Sequence, residues 1–109
     1  MRHTLMIKPL SVNDAWQGKR FKTKKYKNFE YAIQFILPKT KICAKSFLRI
    51  DIVFGFTSTL SDIDNPLKPF LDALQLKYGF NDRNIYELNV KKTISKESFI
   101  AFEIIEYVK

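Results

Sequence analysis

The chain has 109 residues, of which 46% are hydrophobic and 15% aromatic, and its formal net charge is +8. This length predicts a single domain over residues 1–109, and the apolar content is sufficient for a packed core, which argues against a disordered chain. The one cysteine, Cys43, excludes an intrachain disulfide and suits a reducing compartment. No signal peptide and no membrane-spanning apolar run is recognisable, so we expect a cytoplasmic protein without a membrane partner.

The positive charge is concentrated in the first half of the chain. Residues 1–49 contain twelve Lys or Arg and two acids, whereas residues 50–109 contain seven basic and nine acidic residues. Six of the nine residues from Lys19 to Lys27 are basic. A basic part that binds a phosphate backbone, beside an acidic part that holds a metal ion, suits an enzyme acting on nucleic acid. An acidic protein or a membrane surface is the alternative partner for such charge.

The first half is predicted to contain a strand, a loop and a helix. Residues 3–8 are typical of a strand with Leu5 and Ile7 on one face, and residues 9–18 of a loop. Residues 24–37 carry apolar side chains at spacings of three and four, which predicts a helix that Pro38 ends. The apolar face of this helix is formed by Tyr26, Phe29, Ile33, Ile36 and Leu37.

Candidate DNA contacts lie in this loop and in the basic run after it. They are Asn13, Trp16, Lys19, Arg20 and Lys22. The three cations suit contacts with phosphates. Asn13 would either position a phosphate or base, or close an Asx-turn of the loop. Trp16 would either stack on a nucleotide or pack as a half-buried aromatic side chain.

The second half is predicted to contain three strands and one helix. Residues 47–56 alternate between apolar and polar side chains, which predicts a strand with one partly solvent-exposed face. A helix follows, with Asp64 or Asn65 as its N-cap and Gly79 as its C-terminal stop. Residues 85–92 and 99–108 are predicted to form an antiparallel hairpin. The expected fold is therefore α+β, a mixed sheet with two main helices in the order β-α-β-α-β-β.

Three acids stand at the ends of these elements. Asp62 and Asp64 precede the second helix, and Asp82 lies between that helix and the next strand. Carboxylate oxygens bind hard cations, so these acids predict a site for Mg²⁺, with Mn²⁺ as the alternative ion. Lys68 is expected to point back toward the first two acids and to stabilise a strained phosphate. Helix capping is the alternative interpretation of Asp64, and a single histidine, His3, argues against a Ser-His-Asp triad or a histidine-ligated zinc site.

The spacing of these residues is itself a motif. Asp62-Ile63-Asp64-Asn65 followed by Lys68, and then Asp72-Ala73-Leu74, resembles the Asp-x-Asp-Asn-x-x-Lys signature and the Asp-Ala-Leu helix of the RusA family of Holliday-junction resolvases. The segment from Pro9 to Asn13 is similar to that family's Pro-x-Ser-x-Asn segment. Asn81-Asp82 and Asn84 stand where the family often has two aspartates and a Gln, which leaves Asp82 as the third acid.

The resemblance implies a RusA-like fold and an endodeoxyribonuclease that resolves four-way junctions in DNA recombination and repair. It implies Asp62, Asp64, Lys68 and Asp82 as catalytic residues, with the three aspartates binding the metal ion. It also implies a homodimer, whose two matched sites make paired nicks with 5′-phosphate and 3′-hydroxyl ends. Two alternatives remain open: a branched-DNA-binding module of the same fold without the chemistry, and a small basic ribonuclease that needs no metal.

Overall fold

The chain folds into a four-stranded mixed sheet with two helices. The computed structural model describes residues 2–10, 16–17, 21–42 and 45–107. The helices are α1 (Lys24–Ile36) and α2 (Leu67–Tyr78), and the strands are β1 (His3–Leu5), β2 (Trp16–Gln17), β3 (Phe21–Lys22), β4 (Leu48–Phe56), β5 (Ile85–Ile94) and β6 (Phe99–Glu106). The short strands β2 and β3 pair with each other in a separate two-stranded sheet, and a 3-10 turn, Asp82–Asn84, precedes β5. The predicted α+β class and the order of the main elements are confirmed.

Strand β4 lies inside the sheet, whose order is β1-β6-β4-β5. It pairs antiparallel with β6 and parallel with β5, and α2 lies in the crossover connection that a parallel pair requires. The predicted hairpin of β5 with β6 is wrong, because β4 separates them. Burial explains this order: alternate side chains of β4 are at most 8% exposed, whereas most side chains of β5 are exposed, as suits an edge strand.

One hydrophobic core joins the inner face of β4 to both helices. Phe70 of α2 is fully buried, and its ring meets Phe54 of β4 and Phe102 of β6 edge to face, at centroid distances of 6.0 Å and 5.5 Å. Edge-to-face pairs stabilise a core beyond the apolar area that they bury. The contact also matters for the site described below, because it fixes the start of α2 against the end of β4.

Replacing Phe70 by Ala is expected to lower the free energy of unfolding by about 3–5 kcal/mol, since it removes a buried ring from a packed core. The matched control is Leu76→Ala on the same helix, where the side chain is 68% exposed. Leu76→Ala is expected to change the free energy of unfolding by no more than about 0.5 kcal/mol. Urea unfolding followed by circular dichroism measures both variants, and equal losses would contradict this account of the core.

The two helices begin differently. Thr23 caps α1, its hydroxyl accepting from the backbone N–H of Tyr26 at 3.2 Å. The predicted side-chain cap of α2 by Asp64 or Asn65 is wrong, since the helix begins after Pro66 without one. The chain turns into α2 through a backbone bond instead, in which Leu67 donates to the Asp64 carbonyl. The predicted stop at Gly79 is confirmed by its φ of 74°, which suits a residue without a Cβ.

The outer face of the sheet carries no second layer among the described residues. Its larger apolar side chains include Phe47, Val53, Phe99 and Ile105, which are exposed or half-buried. A polar group lies between them: Asp51 accepts from Asn89 at 2.8 Å and from Arg49 at 3.0 Å. The Asn89 amide, followed by the Arg49 guanidinium, holds the pKa of Asp51 below its ordinary value. A half-apolar face of this kind suits contact with a second subunit.

Candidate active site

The connection from β4 to α2 borders an open cleft. The cleft has a volume of about 380 Å³, and its lining brings Phe56 at the end of β4 together with Asp62 and Asn65 before α2. Lys8, a residue that the sequence analysis did not single out, also lines the cleft. The cleft therefore combines an acid with a basic side chain at one end of the sheet.

Two carboxylates stand together at the start of α2. Asp62 and Asp64 are both exposed. Asn65 donates from Nδ2 to Oδ2 of Asp62 at 3.3 Å, which orients that carboxylate. The backbone carbonyl of Asp64 is engaged by the N–H of Leu67 at 3.2 Å, so its exposed side chain projects from a fixed turn. Two of the three predicted acids are thus exposed in the segment that leads into α2.

Lys92 of β5 holds the loop in front of these acids. Its ammonium group donates to the backbone carbonyls of Thr59, at 3.0 Å, and of Ser61. It also lies 6.0 Å from the centre of the Phe56 ring. The sequence analysis missed this residue. One feature of the sequence could have indicated it. Side chains alternate between the two faces of β5, so the charged Lys92 lies on the same face as the apolar Leu88 and Val90.

Asp82 lies at the other end of α2. Its backbone N–H donates to Oε1 of Gln75 in the last turn of the helix, at 3.1 Å. A helix of twelve residues is about 18 Å long. The sheet separates the acids as well. Asp82 precedes β5, which begins beside Leu48 at the start of β4, whereas Asp62 and Asp64 follow the opposite end of β4. Within one chain, the structure does not bring Asp82 to the other two acids.

Lys68 points away from the acids rather than toward them. Its ammonium group lies 3.4 Å from Oδ1 of Asp72, one turn further along α2. The expected orientation toward Asp62 and Asp64 is therefore wrong in this conformation. The i,i+4 carboxylate offers a partner on the helix itself, and the lysine side chain is 73% exposed. Exposed pairs of this kind contribute only about 0.3–0.5 kcal/mol, so Asp72 holds Lys68 only weakly.

The predicted DNA contacts precede α1 in the sequence. Asn13, Lys19 and Arg20 lie outside the described residues. Trp16 and Lys22 are Cα partners in the ribbon of β2 and β3, which leads directly into the helix. The backbone therefore places these two residues side by side.

Comparison with known families identifies the chain. The family described as Endodeoxyribonuclease RusA matches residues 9–105. This chain belongs to the RusA family. The matched region includes every predicted site residue, from Asn13 to Asp82, and covers all the main elements except β1. No curated protein matches the chain.

Membership of the RusA family implies an endodeoxyribonuclease that resolves Holliday junctions and binds branched DNA. It agrees with the basic first half of the chain, since phosphate binding is electrostatic. None of the described helices is long and apolar enough to cross a membrane. That one domain extends over the whole of residues 1–109 stays a prediction.

RusA nucleases are generally metal-dependent, and the donor set of this chain fits a divalent cation. Magnesium takes hard oxygen ligands and is commonly held by one or two protein carboxylates, with water and phosphate completing its shell. Asp62 and Asp64 supply such a pair. Among the described residues, however, no three acids, histidines or cysteines form a group that would hold a metal ion. Asp82, the third predicted ligand, therefore forms no such group with Asp62 and Asp64 within one chain.

Proposed function

We propose that this RusA protein resolves four-way DNA junctions by metal-dependent, paired nicking, in recombination and repair in the cytoplasm. The observation that supports this proposal best is the pair of exposed carboxylates, Asp62 and Asp64, just before α2, of which Asp62 lines an open cleft. The ion is Mg²⁺, with Mn²⁺ as the alternative. The expected products carry 5′-phosphate and 3′-hydroxyl ends.

Each side chain of the site has a distinct task. Asp62 and Asp64 hold the ion, and Asn65 orients the first of them. When bound, the ion activates water and stabilises the leaving oxygen of the phosphodiester. Lys68 exchanges its weak contact with Asp72 for the scissile phosphate and stabilises the charge that develops there. DNA held by Trp16, Lys19 and the neighbouring cations presents its backbone to this cleft.

The third carboxylate is proposed to come from a second copy of the chain. Asp82 lies a helix length away from Asp62 and Asp64 in its own chain. In a two-fold dimer whose α2 helices run in opposite directions, the partner's Asp82 stands at the end occupied by those two acids. An isologous dimer repeats the arrangement, so both sites are completed at once. Two symmetry-related sites also match the two nicks that junction resolution requires.

Replacing Lys92 by Met is expected to slow cleavage about 10- to 100-fold, the usual effect of removing a group that orients metal ligands. The substitution keeps the length of the side chain but removes both hydrogen bonds to the loop before Asp62. The half-maximal Mg²⁺ concentration is expected to rise as well. Lys91→Met is the matched control, because Lys91 faces the other side of β5. Equal effects in the two variants would refute a positioning role for Lys92.

The deciding experiment is cleavage of a labelled synthetic four-way junction with Mg²⁺, with Mn²⁺ and with EDTA. Paired nicks that need the metal support the proposal. Tight junction binding without nicks in either metal would favour a branched-DNA-binding module without the chemistry. This module is the second candidate because Asp82 is separated from the other two acids within one chain. RNA cleavage that survives EDTA would instead identify a metal-independent ribonuclease.

A further inference from the structure

The outward side of α1 exposes two aromatic rings. Tyr31 is 81% exposed and Phe35 is 84% exposed, although the core side of the same helix buries Tyr26, Phe29 and Ile33. Residues four apart lie above one another on a helix, so the two rings are neighbours on one stripe. Single exposed apolar side chains need no explanation, but adjacent rings with this exposure indicate a binding surface.

Lysines continue the same stripe toward the start of the helix. Lys27 stands four residues before Tyr31, and Lys24 seven residues before it, and both are exposed. Lys27 and both rings line a shallow open groove with Glu30 and Gln34. Between residues 15 and 50 the sequence contains one acid, Glu30. Positive charge is therefore exposed at the start of α1 and continues along the helix toward the two rings.

No neighbouring element within the described part of the chain covers this stripe. Helix α2 packs on one flank of α1, where Gln34 donates to the Ala73 carbonyl at 2.9 Å and Lys77 donates to the Gln34 carbonyl at 3.0 Å. The core occupies the inner side. The stripe of Lys24, Lys27, Tyr31 and Phe35, here called the α1 outer face, remains open to a partner.

The positive charge of the α1 outer face indicates which kind of partner it binds. A second copy of this chain docking the same face about a two-fold axis would bring lysines against lysines, which is repulsive. Nucleic acid has the opposite charge, and its unpaired bases stack on aromatic rings whatever their sequence. Basic grooves with exposed rings are the usual means by which proteins bind unpaired strands. A branched junction is the kind of DNA in which stacking is interrupted, so such bases are accessible there.

We propose that the α1 outer face binds unpaired or unstacked nucleotides of the branched DNA substrate, with Tyr31 and Phe35 as the stacking platform. Lys24 and Lys27 bind the adjoining phosphates. Along the helix axis the rings lie about 10 Å and 16 Å beyond Lys24, so the face spans several nucleotides. This inference rests on the proposed function, because it takes branched DNA as the substrate.

Binding is measured with Asp64→Asn as the background, so that cleavage does not interfere. The probe is a four-way junction with 2-aminopurine at the branch point, compared with a linear duplex of equal length at one salt concentration. Tyr31→Ala and Phe35→Ala are each expected to weaken junction binding roughly 5- to 100-fold. They are also expected to reduce the quenching of 2-aminopurine, and duplex binding should change much less.

The controls separate stacking from loss of structure. Tyr31→Phe and Phe35→Tyr keep the rings and are expected to keep affinity, and Leu76→Ala removes an exposed apolar side chain from α2. Thermal unfolding checks that every variant is folded. Unchanged affinity and quenching in the double alanine variant would overturn the inference while the proposed function stands. If the parent protein fails to bind the junction, both fail. If the double variant instead changes the oligomeric state in sedimentation, the face is a protein interface and the inference is also overturned.

Discussion

The Asp64→Asn variant is expected to cleave the junction at least about 10²–10³-fold more slowly than the native protein. Removing one group that stabilises charge in a transition state typically lowers the rate by this factor. The change keeps the shape of the side chain but removes the charge of one of two adjacent carboxylates. Initial rates on a labelled four-way junction, measured over a range of Mg²⁺ concentrations, test this. Added Mg²⁺ is expected to rescue the variant only weakly, since a ligand charge has been lost.

Junction affinity and stability are expected to survive the same substitution. The carboxylate of Asp64 is exposed, and α2 begins without a side-chain cap. The free energy of unfolding should therefore change by no more than about 0.5 kcal/mol. Asp72→Asn is the matched control, because it removes the same charge from the same helix beside Lys68. Loss of junction binding together with loss of folding in Asp64→Asn would refute the catalytic assignment.

Mixing two inactive variants is expected to restore nicking if the partner's Asp82 completes each site. Asp82→Asn is expected to be as inactive as Asp64→Asn. In a dimer of one chain of each kind, one site combines both substitutions and the other has all three native aspartates. About half of the dimers are mixed after random exchange, so about a quarter of the native sites return. Because each mixed dimer has one working site, the product is a singly nicked junction rather than resolved duplexes.

A second mixture controls for this interpretation. Asp62→Asn and Asp64→Asn alter the same half of the site, so their mixed dimer has no intact site and is expected to remain inactive. Differently tagged chains allow the mixed dimer to be purified before the assay. A purified mixed dimer of Asp64→Asn and Asp82→Asn that makes no nick would contradict a site shared between two chains. A protein that is monomeric at assay concentration would contradict it as well.

Local patterns in the sequence determined much of this protein. The apolar alternation of β4 predicted a strand with one buried face, and the structure buries that face. Gly79 predicted the end of α2, because only a residue without a Cβ adopts its positive φ readily. The run from Asp62 to Lys68 predicted the RusA family, because its residues match that family's signature at fixed spacing, and the family match over residues 9–105 confirms this. Each of these features is set by residues close together in the chain.

Only the tertiary structure decided how distant residues meet. The two last strands have no local signal against pairing with each other, yet β4 separates them because burying its apolar face in the middle of the sheet is more favourable. The parallel pairing of β4 with β5 then carries Asp82 to the end away from Asp62, and it brings Lys92 to the loop before that acid. Lys68 differs from these cases, because its partner Asp72 is an i,i+4 neighbour on the same helix and the contact is local. Strand order and contacts between distant side chains depend on the whole core, which no short stretch of sequence specifies.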